Sequence, residues 1–187
     1  MNSDFPVVLD ACVLVQAAIR DTLLRLSEKR LFLCRWSDEI IQEMTRTLEN
    51  RFGKTPDQTT HLVGELKTHF PDCWVELGYK ALVDFMPNDK KDRHVVAAAV
   101  KAGCEVIVTY NLKHFPEGSL KEFDVHAEHP DEFLIQVYYL NPEMVVHTLH
   151  EQGESMRVKR ILPEILAALE VCQCTKFCKL IRERLSL

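Results

Sequence analysis

Short apolar runs alternate with amphipathic stretches over the first two thirds of the chain. The runs at residues 5–9 (FPVVL), 31–36 (LFLCRW) and 105–109 (EVIVT) are too short to form helices, which predicts buried strands. A shorter strand is expected at residues 123–127 (FDVHA), at an edge of the sheet. The chain therefore supplies four candidate strands, each separated from the next by other structure.

The stretches between these strands carry apolar residues at helical spacing. This spacing predicts helices over residues 12–28, 37–51 and 55–70, and a further helix that opens near Asp92. Residues 73–87 show no such period and are expected to be irregular, with some strand character. Helices and strands thus alternate along most of the chain.

This alternation predicts the fold class. Strands separated by helices form parallel sheets covered on both faces, so we expect a three-layer α/β/α sandwich with a mainly parallel sheet. Residues 130–187 contain no strand pattern and are expected to form three or four helices. We therefore divide the chain into a sheet domain, residues 1–128, and a helical extension, residues 129–187.

Composition narrows the class of protein further. The 187 residues are 47% apolar and 27% charged, as in globular proteins, and no apolar run approaches the roughly 20 residues of a membrane span. The amino terminus lacks the layout of a signal peptide, and seven cysteines without framework spacing are typical of buried thiols. We expect a cytoplasmic protein that does not contact a membrane.

Charge is distributed unevenly along the chain. The whole sequence has a formal charge of −5, yet residues 157–187 carry seven basic and three acidic side chains. This basic segment could contact nucleic acid or an acidic partner, or it could simply be a solvated helix surface.

Four polar residues stand where the predicted sheet would present a site. Asp10 closes the first strand and Asn111 follows the strand at 105–109, so both are expected at the carboxyl edge of a parallel sheet. Asp92 lies at the start of a sheet-packed helix, and Glu43 lies at the margin of the apolar face of the helix at 37–51. Taken singly, each has an ordinary alternative as a turn, cap or surface residue. Their combination is more specific.

These residues belong to segments that resemble the PIN-domain ribonucleases, which include the toxins of VapBC-type bacterial toxin–antitoxin pairs. The resemblance rests on an ordered set of motifs, VVLDACVL, SDEIIQEM, NDKKDRHVVAAAV and VIVTYNLKHFP, over about residues 5–126. It implies a parallel α/β sandwich with an acidic cluster that binds Mg²⁺ or Mn²⁺. It implies Asp10, Glu43 and Asp92 as metal ligands, with Asn111 as the fourth catalytic position, where the family has Asp or Asn.

The resemblance also implies an activity and partners. The expected reaction is endonucleolytic cleavage of RNA phosphodiester bonds, and the expected partner is a cognate antitoxin protein; homodimerisation stays open. Simple electrostatics fits this assignment, because two carboxylates about 4 Å apart repel by roughly 4 kcal/mol at an effective dielectric of 20 unless a cation offsets them. Asp89 is a further candidate near the pocket, or a solvated loop residue.

The loop TYNLKHF departs from the family pattern. Many PIN toxins carry Asp three residues after the Asn111 position, and here that residue is His114. His114 could touch substrate phosphate, or it could pack beside Phe115. His94, beside Asp92, could likewise touch phosphate or be structural.

Other functions were weighed against this one. A catalytically inactive PIN fold that binds RNA or protein is the alternative, kept open by the amide at position 111. A phosphatase with an aspartyl nucleophile would need a second Asp where Cys12 stands, and no glycine-rich nucleotide loop is present. The spacing of Cys172, Cys174 and Cys178 includes no CxxC pair, so these thiols are expected to be buried rather than to bind zinc.

Overall fold

A four-stranded parallel sheet forms the centre of the protein in the computed structural model, which describes residues 4–186 apart from the side chain of Leu77. Its strand order is β2-β1-β3-β4. All three strand pairings are parallel. The strands are β1 (Pro6–Leu9), β2 (Leu33–Arg35), β3 (Val106–Val108) and β4 (His126–Glu128). All four predicted strands are therefore present. The first three are shorter than predicted, and the fourth lies further toward the carboxyl terminus than the predicted residues 123–127, because a 3-10 helix takes up Lys121–Phe123.

Ten α-helices accompany the sheet within the described residues. In chain order they are α1 (Ala11–Leu14), α2 (Ala17–Glu28), α3 (Asp38–Phe52), α4 (Pro56–His69), α5 (Arg93–Ala102), α6 (Glu117–Leu120), α7 (Pro130–Leu140), α8 (Pro142–Ser155), α9 (Leu162–Val171) and α10 (Thr175–Leu185). Short 3-10 helices span Pro71–Cys73, Leu77–Phe85, Leu112–His114 and Lys121–Phe123.

Strand β1 shows why the sheet must be covered on both faces. Val7, Val8 and Leu9 are successive residues whose side chains point to alternate faces, and all three are fully buried. Helices therefore pack on each side of the sheet, as parallel sheets require. The predicted three-layer α/β/α sandwich, followed by a helical extension, is confirmed.

Two local expectations were wrong. The predicted helix at 12–28 is divided between α1 and α2, and Gln16 between them has an extended backbone. The guanidinium of Arg20 donates a hydrogen bond to the carbonyl of Leu14, which takes that acceptor out of the helical ladder. The strand character expected within 73–87 reduces to one isolated bridge between Trp36 and Trp74, and Leu77–Phe85 is a 3-10 helix that packs along α5.

The extension packs directly on the sheet domain. Buried Gln152 of α8 accepts a hydrogen bond from the hydroxyl of Thr22 (2.7 Å) and donates to the carbonyl of Ala18 (3.2 Å), both in α2. The next residue is Gly153, where a Cβ atom would lie 2.2 Å from the carbonyl oxygen of Arg160, so the chain needs glycine at this close approach. The division into domains 1–128 and 129–187 stays a prediction.

None of the helices between residues 4 and 186 combines the length and the apolar content that crossing a membrane would need.

Candidate active site

Asp10 lies at the carboxyl end of β1 and is almost completely buried, with 2% of its surface exposed. Its carboxylate does not cap α1. Instead, Oδ2 of Asp10 accepts hydrogen bonds from the hydroxyl of Thr109 (2.6 Å) and from the thiol of Cys12 (3.1 Å). One carboxylate oxygen is thus held in place by two side chains, and the turn or cap alternative does not describe this residue.

Thr109 connects Asp10 with Asn111. Thr109 follows β3 directly and is fully buried, and its hydroxyl oxygen also accepts the backbone N–H of Asn111 (3.0 Å). The structure therefore brings the backbone of Asn111 to the same edge of the sheet as Asp10. Among residues 4–186, the Asn111 side chain has no hydrogen-bond partner, so its role as the fourth site residue stays a prediction.

Asp92 precedes the first turn of α5 and is 8% exposed, without capping that helix through its side chain. Its Oδ2 lies 2.8 Å from Nδ1 of His114. Burial raises the pKa of Asp92; the contact with His114 opposes this shift, whereas the negative charges of Asp10 and Glu43 add to it. Three carboxylates therefore interact electrostatically in one region.

Glu43 lies in the middle of α3, and its half-buried side chain contacts α5. Its Oε1 is 3.2 Å from Nε2 of His94. The Nδ1 atom of His94 is buried and has no hydrogen-bond partner among the described residues. Burial opposes a charge on His94, but the carboxylates of Glu43, Glu39 and Asp10 outweigh it and raise the pKa of His94. His94 therefore orients Glu43.

Two loops meet beside Asp92. The backbone N–H of Asp89 and the side-chain amide of Asn88 both donate to the carbonyl of His114, each at 3.4 Å. Within the described residues, potential ligand atoms of Asp89, Asp92 and His114 all lie within 4.8 Å of one another. Asp10 and Glu43 lie outside that closest group, although their charges act on it.

The donor set suits a hard divalent cation. Carboxylate oxygens dominate it, and an imidazole nitrogen is also accepted by ions such as Mn²⁺. Asp10 has only Oδ2 engaged in hydrogen bonds among residues 4–186, which leaves Oδ1 for a ligand. A cation would also offset the repulsion that raises the pKa of Asp92.

Sequence reasoning missed three side chains that shape this site. Thr109 and Cys12 hold Asp10, and both were visible as polar residues next to a predicted strand end. His94 was considered for phosphate contact or for a structural role, but its contact with Glu43 was not anticipated. For His114, packing beside Phe115 seemed the simpler alternative, but its ring contacts Asp92.

The cysteines near the carboxyl terminus form no metal site in the part of the chain that is described. Cys172, Cys174 and Cys178 are buried, and they gather no group of ligand atoms within metal-binding distance of one another. Burial raises the pKa of Cys178 to about 12, so this thiol stays protonated. The expectation of buried thiols is confirmed for these three residues.

Comparisons with known proteins are consistent with this arrangement. The family model described as "PIN domain" matches residues 6–113, more than half of the chain. A Mycobacterium tuberculosis protein with the name "Putative ribonuclease VapC50" is 57% identical over 58 residues, which are 31% of this chain and 34% of that protein. The match thus spans about a third of the curated relative's length. No solved structure matches the chain significantly.

Proposed function

This chain belongs to the PIN domain family, and from that premise we propose that it is a metal-dependent endoribonuclease, the toxin of a toxin–antitoxin pair. The observation that carries the proposal is the pair of buried aspartates, Asp10 and Asp92, at one edge of the sheet. Burial raises the pKa of Asp92, and the charges of Asp10 and Glu43 raise it further. Buried carboxylates that repel one another are unfavourable for folding, and they are typical of sites that bind cations and perform chemistry.

The residues that would hold the metal are Asp10, Glu43 and Asp92. Their oxygen donors favour Mg²⁺ or Mn²⁺, and His114 and Asp89 lie close enough to Asp92 to take part in the same site. When bound, such a cation supplies a water of lowered pKa and stabilises negative charge that develops on phosphate. Asn111 contributes at most a neutral oxygen, so three charged ligands define the core of the proposed site.

The protein's own side chains preorganise this pocket. Thr109 and Cys12 fix Oδ2 of Asp10, His114 contacts Asp92, and His94 contacts Glu43, so each carboxylate has a neighbour that restricts its rotation. Such restriction aligns the acidic groups before substrate arrives.

Positive charge beside the pocket supports a polyanionic substrate. Lys90 and Lys91 are exposed in the same loop as Asp89 and Asp92, and Lys113 is exposed next to His114. Lysines at these positions would attract the phosphates of an RNA strand, and such contacts weaken as salt rises.

The proposed partners are RNA and a cognate antitoxin protein in the cytoplasm. A homodimer is compatible with this proposal. For the basic segment of residues 157–187, ion pairs join Lys176 to Glu132 and Arg182 to Glu170, which favours a solvated helix surface for its last helix. Residues 157–160 are exposed, as are Lys179 and Arg184 of α10, so these basic positions could contact a partner.

Incubation of the purified protein with RNA and Mg²⁺ or Mn²⁺ tests the proposal. We expect internal cleavage that a chelator stops and that Asp10→Asn abolishes. Asp57→Asn, a charge-matched change at the exposed start of α4, should leave cleavage unchanged. If RNA binds and remains intact under every metal condition, the alternative of an inactive RNA-binding PIN fold is correct instead.

A further inference from the structure

Two buried cysteines face each other at the edge strand of the sheet. Cys34 is the central residue of β2, and Cys73 ends the 3-10 helix that follows α4. Their Sγ atoms are 3.3 Å apart, although the residues are 39 positions apart in sequence. Neither thiol takes part in the hydrogen bonds around Asp10, Glu43 or Asp92 among residues 4–186.

The backbone holds these two segments side by side. The N–H of Trp36 donates to the carbonyl of Cys73 (3.0 Å), and the N–H of Val75 donates to the carbonyl of Trp36 (2.9 Å). The indole rings of Trp36 and Trp74 pack edge to face with centroids 5.3 Å apart. Because these contacts hold both chain segments in place, the fold itself keeps the two thiols next to each other. A disulfide bond is about 2.05 Å long, so the two sulfur atoms need to approach each other by little more than 1 Å to form one.

The surroundings of the two thiols differ. Cys34 is fully buried and receives a hydrogen bond from the hydroxyl of Ser27 (3.3 Å), whereas Cys73 is 8% exposed. The hydrogen bond from Cys34 lowers the pKa of Cys73; burial opposes this shift, and the charge of Arg35 supports it. Cys73 is therefore the thiol that a small oxidant reaches and that ionises first.

We propose that Cys34 and Cys73 are a reversible oxidation site that forms a disulfide when it meets a hydroperoxide. The thiolate of Cys73 attacks a peroxide oxygen, the O–O bond breaks, and hydroxide or alkoxide leaves, which gives a sulfenic acid. The thiol of Cys34 then attacks the Cys73 sulfur, the S–O bond breaks, and water leaves. In total two thiols lose two electrons and two protons, and the peroxide is reduced to water, or to water and an alcohol.

The bond would close a covalent loop around α3 and α4, which lie between the two cysteines in sequence. Restricting the unfolded chain in this way raises the melting temperature, by about 5–15 °C for a loop of this length in a protein of this size.

Peptide mapping of the full chain after treatment with hydrogen peroxide tests the site. We expect a mass loss of about 2 Da, five of the seven cysteines open to alkylation after denaturation, and a crosslinked peptide that joins Cys34 to Cys73. Dithiothreitol should reverse the mass change and the rise in melting temperature. The variant Cys73→Ala should lose the crosslink, whereas Cys104→Ala, which removes a buried thiol outside the pair, should keep it.

Mapping of the unmodified sequence keeps the test decisive even if a variant does not fold. Glutathione treated in a parallel sample serves as the reference for exposure to peroxide. If glutathione is fully oxidised while Cys34 and Cys73 both remain alkylatable, or if the crosslink joins other cysteines, the proposal is wrong.

Discussion

Two buried aspartates in this protein have opposite surroundings. Asp131, at the start of α7, is 4% exposed, and its two oxygens accept the backbone N–H groups of Lys176 (3.0 Å) and Phe177 (2.8 Å). Asp92 is nearly as buried, yet His114 is its one side-chain hydrogen-bond partner in the described chain. Burial raises the pKa of Asp92, and nearby carboxylates raise it further.

Asp131 therefore stabilises the fold through its hydrogen bonds, whereas the fold holds Asp92 where burial and charge repulsion disfavour its ionised form. Asp131 ties α7 to the amino-terminal end of α10, where unpaired N–H groups and the helix dipole favour negative charge. Within the described part of the chain, no backbone N–H donates to the Asp92 carboxylate, and Asp10 and Glu43 repel it. Burial alone therefore does not identify a functional carboxylate; the groups that face it do.

The sharpest test of this comparison replaces Asp92 by Asn. We expect RNA cleavage to fall on the order of 10³-fold, because a charged ligand of the proposed metal is lost. The free energy of unfolding should change by less than about 1 kcal/mol, since the removal of one repelling charge offsets the weaker contact with His114. Initial cleavage rates measure the activity, and urea unfolding measures the stability. If Asp92→Asn loses activity only because it is largely unfolded, Asp92 stabilises the fold and the comparison is wrong.

The converse change is Asp131→Ala. It leaves two buried N–H groups at the start of α10 without acceptors, which should lower the free energy of unfolding by about 3 kcal/mol. Activity per folded molecule should match that of the unaltered chain. Urea denaturation followed by circular dichroism gives the stability, and Asp57→Asn is the charge-matched control on an exposed helix start. If Asp131→Ala is as stable as the unaltered chain but no longer cleaves RNA, Asp131 is a functional and not a structural residue.

Addition of Mn²⁺ should offset the charge repulsion at Asp92 and leave the surroundings of Asp131 unchanged. At a hundredfold excess over the dissociation constant, binding to the folded state adds about 2.7 kcal/mol, which corresponds to a rise in melting temperature of roughly 5–10 °C. Asp10→Asn should lose most of this rise, whereas Asp131→Ala should retain it from its lower starting point. Equal rises in the unaltered chain and in Asp10→Asn would exclude the proposed metal ligands.

The smallest expected effect is a change of stability with pH that arises from His129, next to Asp131. Burial lowers the pKa of His129 below 6.5, although Asp131 and Glu132 oppose the shift, and Nδ1 of His129 accepts the N–H of Asp131 (3.1 Å). The unfolded chain therefore binds a proton more readily, and stability should fall as pH drops below about 6.5. His129→Asn keeps an acceptor for that N–H but does not titrate.

Melting temperatures between pH 7 and pH 5 check this prediction. The decline should be shallower in His129→Asn than in the unaltered chain. Identical declines in both proteins would mean that the folded and unfolded states hold the His129 proton equally well.

Much of the fold could be predicted because its signals are local. The apolar run that contains Val7 and Val8 predicts a buried strand wherever it stands. The helix predicted over residues 37–51 also forms, and the hydroxyl of Ser37 caps it by accepting the N–H of Ile40 (3.2 Å). The break at Gln16 was missed because its cause, the bond from Arg20 to the carbonyl of Leu14, competes with a helix that the apolar spacing supports equally well.

The candidate site could be predicted only in part. Asp10 and Asp92 stood out as acids at a predicted strand end and a predicted helix start, and Glu43 stood out at the margin of an apolar helix face. The resemblance to PIN domains joined them into one set. The partners of each acid could not be read from the pattern, because Thr109 is 99 residues from Asp10 and His94 is 51 residues from Glu43.

The sequence by itself determined the alternation of strands and helices, the family and the candidate acids, because these depend on residue type and short-range spacing. Only the tertiary structure decided which carboxylates face donors and which face one another, and that Cys34 meets Cys73. The physical reason is that hydrogen bonds and charge repulsion act over a few ångströms in space, and chain folding brings into that range residues whose separation in sequence carries no signal.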